Sequence, residues 1–199
     1  MVTLHDLYTR SMKRWESFDL RGVLPALRNA NEGAMDDVRN TNGCRYYQLL
    51  PCLIEELRPK QVVELGGAMG VSALMMLHTL PETSKLYSIT LEEHGLEFSY
   101  VADHYPNFVP VVGNDLDLSV WPKDLDLSKT DLWFFDSLHT REQLTKELAL
   151  YSPFFKKGTI LLFDDIRMEE LWPVWESLPY EKKESTNPCH YSGFGIAQV

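Results

Sequence analysis

The chain reads as an α/β protein: a mostly parallel sheet with helices on both faces. Short apolar runs rich in β-formers alternate with segments of helical spacing, the pattern of strand, crossover helix and parallel strand. One run, Val62-Val63-Glu64-Leu65, carries an acid at its end and turns through Gly66, Gly67 and Gly70 into the helical stretch Val71–Leu80. A second acidic strand end lies in Asp131-Leu132-Trp133-Phe134-Phe135-Asp136-Ser137-Leu138-His139. Right-handed crossovers in such a sheet gather ligands at the carboxyl ends of the strands, where both acids fall.

Taken in order, Leu4–Phe18 and Tyr46–Leu57 have helical spacing and are separated by a turn-rich break at Asn29–Gly43. Residues 1–45 are expected to form an N-terminal helical extension or cap, and 46–199 the main domain. The cap fits two uses equally, closing a small-molecule site or packing against the partner subunit of a homodimer. Gln61–Leu65, Leu86–Thr90, Val109–Val112, Asp131–Asp136 and Thr159–Asp164 are short β-forming runs between helical patterns or turns, hence strands. Val71–Leu80, Leu96–His104 and Arg141–Ser152 space their apolar residues as crossover helices, and Arg167–Leu178 follows the fifth strand as another helix. Tyr180–Lys183 and Gly193–Val199 complete a seven-stranded sheet as an antiparallel C-terminal hairpin. The polar connection between them, which holds His190 and Tyr191, is placed near the ligand end.

The chain has 199 residues, of which 44% are hydrophobic, enough for one α/β domain and its core. Its formal net charge of −10 argues against nucleic acid as a partner, because that affinity comes largely from clustered Lys and Arg. Cys44, Cys52 and Cys189 are too few and too scattered for a disulfide framework or a zinc module, so buried thiols in a reducing, cytoplasmic setting are expected. The start, Met1 to Asp6, lacks a basic region followed by an apolar core, and no apolar run reaches spanning length, so no membrane association is expected.

On these residues the chain resembles the class I S-adenosylmethionine-dependent methyltransferases, over roughly Tyr46 to Val199. Glu64-Leu65-Gly66-Gly67-Ala68-Met69-Gly70 is similar to the family's first motif, departing at Ala68, where a further glycine is common. Gly70-Val71-Ser72-Ala73-Leu74 resembles the corresponding helix start in catechol-type O-methyltransferases. Asp131 to His139, together with Phe155 to Ile166, resembles the small-molecule enzymes of the macrocin and catechol type. The likeness implies a Rossmann-like fold and S-adenosylmethionine as cofactor, with Ser72 and nearby amides on its carboxylate. It further implies cofactor contacts from Glu64, Gly66, Gly67, Gly70 and Asp136, with Asp115 at the adenine and Glu92 at the ribose, unless Glu92 and Glu93 only form a solvated pair leading the next helix. The Asn/Asp-Pro-Pro-aromatic tetrads of amino- and base-directed enzymes are missing, which favours a hydroxyl oxygen on a small molecule as acceptor.

A hydroxyl acceptor needs a base, and His139, just past a strand end and with an ordinary pKa near neutrality, suits that role beside Asp136. The competing reading of His139 is a helix cap near Thr140. Asp136, Asp164 and Asp165 would converge on adjacent strand ends as hard oxygen ligands for Mg²⁺ or a similar ion, unless Asp164 or Asp165 only caps the helix at Arg167–Leu178. His78, Met75 and Met76 read as packing, Trp172 and Trp175 as core or interface, and His190 and Tyr191 as core or surface. An NAD(P)-dependent oxidoreductase is one alternative, although Thr90 stands where it would want an acid. A non-catalytic binding protein of the same fold is the other.

Overall fold

A computed structural model describes residues 2–19, 22–23, 46–92, 95–186 and 189–199. The expected break at Asn29–Gly43, Cys44 and Glu93 lie outside them. Helix α1 (Leu4–Arg14) opens on Thr3, whose hydroxyl accepts from the Asp6 N–H. It packs on α2 (Tyr46–Leu57), a largely buried helix that carries Pro51. The alternating units follow as β1 (Gln61–Leu65), α3 (Val71–Leu77), β2 (Lys85–Thr90), α4 (Gly95–His104) and β3 (Phe108–Val112). Then come β4 (Leu132–Phe135), α5 (Arg141–Tyr151), β5 (Ile160–Phe163), α6 (Trp172–Ser177), β6 (Glu181–Ser185) and β7 (Phe194–Gln198).

The sheet order is β3-β2-β1-β4-β5-β7-β6, with β7 antiparallel to both β5 and β6. Chain order reverses between β1 and β4, and such switch points open a crevice at the carboxyl ends of the strands. Register places Leu65 beside Phe135, and Phe135 beside Phe163, so the residues that follow these strands emerge side by side.

Side-chain alternation splits the core between the two faces. Val62, Phe134, Leu162 and Ile196 face α1, α2 and α3, while Val63, Trp133, Leu161 and Ala197 face α5 and α6. Met75 and Met76 are buried packing residues, as expected, and Trp175 belongs to the second core layer. Cys52 and Cys189 are buried, and burial pushes the Cys52 thiol up to about 11. Among the described residues no helix is long and apolar enough to cross a membrane.

One expected element is much shorter than its sequence pattern. The helix expected over Arg167–Leu178 forms only at Trp172–Ser177, with Leu171 at its N-cap and Pro173 in its first turn. Asp165 has a left-handed φ of +54°, which breaks helical continuity directly after β5. Capping of that helix by Asp164 or Asp165 is therefore not what the structure shows, and both acids are left for other work.

Candidate active site

Two features meet at the carboxyl ends of β1, β4 and β5. The first is a cavity of about 370 Å³ bounded by the glycine turn, the ends of β2 and β3, and the segment after β4. Gly66, Ala68, Thr90, Asp115, Asp136 and Gln143 are among its lining residues. Its size lies in the range of small-molecule and cofactor sites.

The turn that forms its floor is built from behind. Glu64 is fully buried and accepts hydrogen bonds from the hydroxyls of Ser72 and Ser88, which fasten α3 and β2 to the end of β1. Burial raises the Glu64 carboxyl above its ordinary value, against the lowering effect of the two serines. Gly66 adopts φ +97°, and a Cβ there would lie 2.0 Å from the Asp136 carbonyl oxygen. A Cβ on Gly67 would lie 2.1 Å from Ser88 Oγ. The Gly66 and Gly67 N–H groups both donate to Ile89 O, at 3.0 and 2.8 Å, and the Gly70 N–H donates to Gly67 O at 2.7 Å.

Gly66 thus serves close packing against backbone, Gly67 close packing against side chains and Gly70 a left-handed φ of +83°, and their amides are used within the protein rather than aimed at a ligand. Gly66 lines the cavity; Glu64, Gly67, Gly70 and Ser72 lie outside its lining. Ala68, at the position where the resembling family commonly has glycine, has a left-handed φ of +40°, the conformation that favours glycine.

At the far side Gly113, Asn114 and Asp115 all line the cavity. Gln143 donates to Asp115 Oδ1 at 2.9 Å, and from the same nitrogen to Glu147 Oε1 at 2.9 Å. Glu147 is buried, and burial together with Asp115 pushes its carboxyl up to about 8. Gln143 and Leu116 are lining residues that the sequence patterns did not single out. Glu92 is exposed beside the lining residue Leu91, and Thr90 Oγ1 donates to its carbonyl at 3.1 Å.

The second feature is a cluster of carboxylates and imidazoles that shares Asp136 with the cavity. His139 Nε2 lies 3.2 Å from Asp136 Oδ1, and His139 Nδ1 lies 2.9 Å from Asp165 Oδ2. Burial and the neighbouring Asp164 carboxylate hold Asp136 well above the ordinary carboxylate range. Asp165 stays below its ordinary value: burial raises it, and the hydrogen bonds from His139 and Ser192 outweigh that. Hydrogen bonds to Asp136 and then Asp165 push His139 up to about 10. The near-neutral imidazole expected from the sequence is therefore replaced by an imidazolium held between Asp136 and Asp165. Nor is His139 a helix cap, since the Thr140 side chain accepts from the Gln143 N–H at the start of α5.

Asp136, His139 and Asp164 place ligand atoms within 4.8 Å of one another, as do Asp164, Asp165 and His190. Among the described residues Asp164 Oδ1 is buried without a hydrogen-bond partner, a position in which a bound cation would satisfy it. The two groups share Asp164, and their carboxylate and imidazole donors are of the kind that hold a divalent ion. His190 of the β6–β7 connection also reaches this cluster, with Nε2 2.8 Å from Asp164 Oδ1. Tyr46 at the start of α2 donates to Asp136 Oδ2 at 3.4 Å. Neither contact is visible in local sequence spacing, because both residues are brought in by tertiary packing.

The sequence matches the family profile described as a methyltransferase domain over residues 63–166, more than half of the chain. The chain belongs to the methyltransferase domain family. The matched segment runs from β1 through β5 and contains the glycine turn, the cavity's far wall, and Asp136, His139, Asp164 and Asp165. The catechol O-methyltransferase of Mus musculus is 27% identical over 158 residues, which cover 74% of this chain and 57% of that protein. The chain thus matches little more than half the length of this relative.

Among solved structures, the O-methyltransferase TomG of Streptomyces achromogenes, involved in tomaymycin synthesis and crystallised with SAM, superposes with a TM-score of 0.63. The match covers 100% of this methyltransferase-domain chain and 99% of that one at 16% identity. An O-methyltransferase of Bacillus cereus in complex with SAH gives a TM-score of 0.63 at 14% identity, covering 97% and 99%. At such identities the likeness is one of fold, the Rossmann-like class I methyltransferase fold.

Proposed function

We propose that this methyltransferase-domain protein transfers a methyl group from S-adenosylmethionine to a hydroxyl oxygen of a small molecule, with a divalent cation at the carboxylate cluster. The observation that carries the reading is the position of Asp136. It lines the cofactor-sized cavity and also touches His139 in the carboxylate–imidazole cluster, so a ligand in the cavity ends where an acceptor and its proton would be handled. Bound S-adenosylmethionine supplies a methyl already activated on a sulfonium, so the protein's part is alignment and deprotonation. When bound, a divalent cation there would lower the pKa of the acceptor hydroxyl.

Within that reading Gly66 gives close backbone approach on one side of the cavity, while Asp115 with Gly113 and Asn114 receives the adenine end. Glu92 stands nearest to a ribose. Glu64, Gly67, Gly70 and Ser72 act on the cofactor through the shape of the turn. Asp136, Asp164 and Asp165 hold the cation, and His139 takes the acceptor proton once the two carboxylates that hold it protonated are otherwise engaged. The acceptor oxygen then bonds the methyl carbon as the carbon–sulfur bond breaks, and S-adenosylhomocysteine leaves. Residues 1–45 are assigned as an N-terminal helical extension or cap, and 46–199 as the methyltransferase domain.

Thermal melting with S-adenosylmethionine, S-adenosylhomocysteine and NAD tests the cofactor. The first two are expected to raise the melting temperature in proportion to the logarithm of their concentration, with NAD leaving it unchanged. Stabilisation by NAD alone would replace this reading with an oxidoreductase, and no response to any of them would leave a non-catalytic domain.

A further inference from the structure

His190 comes from the β6–β7 connection, far in sequence from the other members of the cluster, and its ring is 1% exposed. Tyr46 packs against it with ring centroids 4.7 Å apart, and Tyr191 stacks on it at 5.5 Å. Nε2 points into the carboxylate cluster, 2.8 Å from Asp164 Oδ1 and 3.7 Å from Asp165 Oδ1. Despite that proximity, neither Nε2 nor Asp164 Oδ1 has a hydrogen-bond partner among the described residues. Two fully buried polar atoms without partners are costly, and natural structures nearly always supply something to satisfy them. Two atoms this close that do not bond each other are placed like neighbouring ligands of one ion. On an octahedral centre with bonds of about 2.1 Å, adjacent donors lie about 3.0 Å apart.

We infer that His190 Nε2 is a ligand of the cation named under the proposed function, an inference that rests on that reading, and that the site selects a first-row transition ion over Mg²⁺. Mg²⁺ prefers oxygen donors and retains water, whereas imidazole suits the later first-row ions and raises affinity in their usual order. His190 therefore adds to the carboxylates a buried imidazole donor of the kind that distinguishes these ions. Asp164, the member common to both groups of converging ligand atoms, anchors the ion between His190 and Asp136.

The ring's other nitrogen carries the cost. The Ser192 N–H donates to His190 Nδ1 at 3.1 Å, which puts the ring proton on Nε2. Ligation through Nε2 moves that proton to Nδ1, where Ser192 Oγ, 3.2 Å away, accepts it in place of the backbone contact. The Ser192 hydroxyl itself donates to Asp165, so one serine ties the histidine to the cluster.

The test is calorimetric titration of chelator-stripped full-length protein with Co²⁺ and Mg²⁺, repeated on His190→Asn. Any oxygen site ranks Co²⁺ somewhat above Mg²⁺, so the difference made by His190 decides. His190→Asn should weaken Co²⁺ by about tenfold or more, on the scale set by altered metal shells, and leave Mg²⁺ within a factor of about two. Equal losses for both ions, or an unchanged Co²⁺ affinity, would overturn the inference. Should His190→Asn fail to fold, pulsed electron paramagnetic resonance of Mn²⁺ bound to His139→Ala provides the second arm. Coupling to a coordinated imidazole nitrogen then assigns His190, and its absence removes it. S-adenosylmethionine titrated into the parent protein separates the two readings. Cofactor binding without binding of any ion refutes the ion site alone, and ion selectivity without cofactor binding refutes methyl transfer alone.

Discussion

At the scale of single residues, His139 shows how an environment reassigns a side chain. Between Asp136 and Asp165 its pKa is pushed up to about 10, so near neutrality it carries a proton and cannot accept another. If methyl transfer requires the neutral ring, the rate in chelated protein should climb with pH through the region of that value. Added divalent ion, by engaging the same carboxylates, should move the rise to lower pH. His139→Ala should lower the rate by roughly a hundredfold or more while leaving cofactor affinity nearly intact. A variant that keeps both the parent rate and its pH profile places the base elsewhere. Glu147 offers a stability counterpart. Its pKa rises from an ordinary 4.5 to about 8, so the folded protein holds a proton that the unfolded chain releases. Its favourable contribution is complete below about pH 4.5 and is lost as pH rises through 8. Urea denaturation from pH 5 to 9 should show Glu147→Gln growing more stable relative to the parent as pH rises; parallel curves would contradict the assignment.

At the scale of elements, the turn between β1 and α3 does a different job from the one its glycines advertise. Gly66 exists because Asp136's backbone leaves no room for a Cβ, so Gly66→Ala should destabilise the fold itself by about 3 kcal/mol or more, combining overpacking with a strained φ. An unchanged urea midpoint would show that the two strand ends can separate cheaply. The five parallel strands were legible within a residue or two because each is a short apolar run between helical patterns or turns. The helix over Arg167–Leu178 was misjudged in length, since apolar spacing there continues through a segment whose backbone the left-handed Asp165 and Pro173 do not allow to wind fully. A sequence shows which amides the glycine turn has, and not that Ile89 takes those of Gly66 and Gly67.

At the scale of the whole molecule, the sequence puts Asp136 and the Asp164–Asp165 pair just past neighbouring strand ends because adjacent parallel strands end in register, a consequence of the α/β alternation. It also puts the β6–β7 connection near the ligand end, but not the contacts of His190 and Tyr46. One arrives from that connection and the other from a helix that precedes the sheet, so only the packed fold sets them on the acids. The same packing makes Asp136 the shared wall of cavity and cluster, and on this the functional reading stands. A crystal structure with S-adenosylhomocysteine tests it most directly. The account predicts the adenine end beside Asp115 and the sulfur at the Asp136 end, facing His139. A ligand bound in the reverse sense, or outside this cavity, would contradict it.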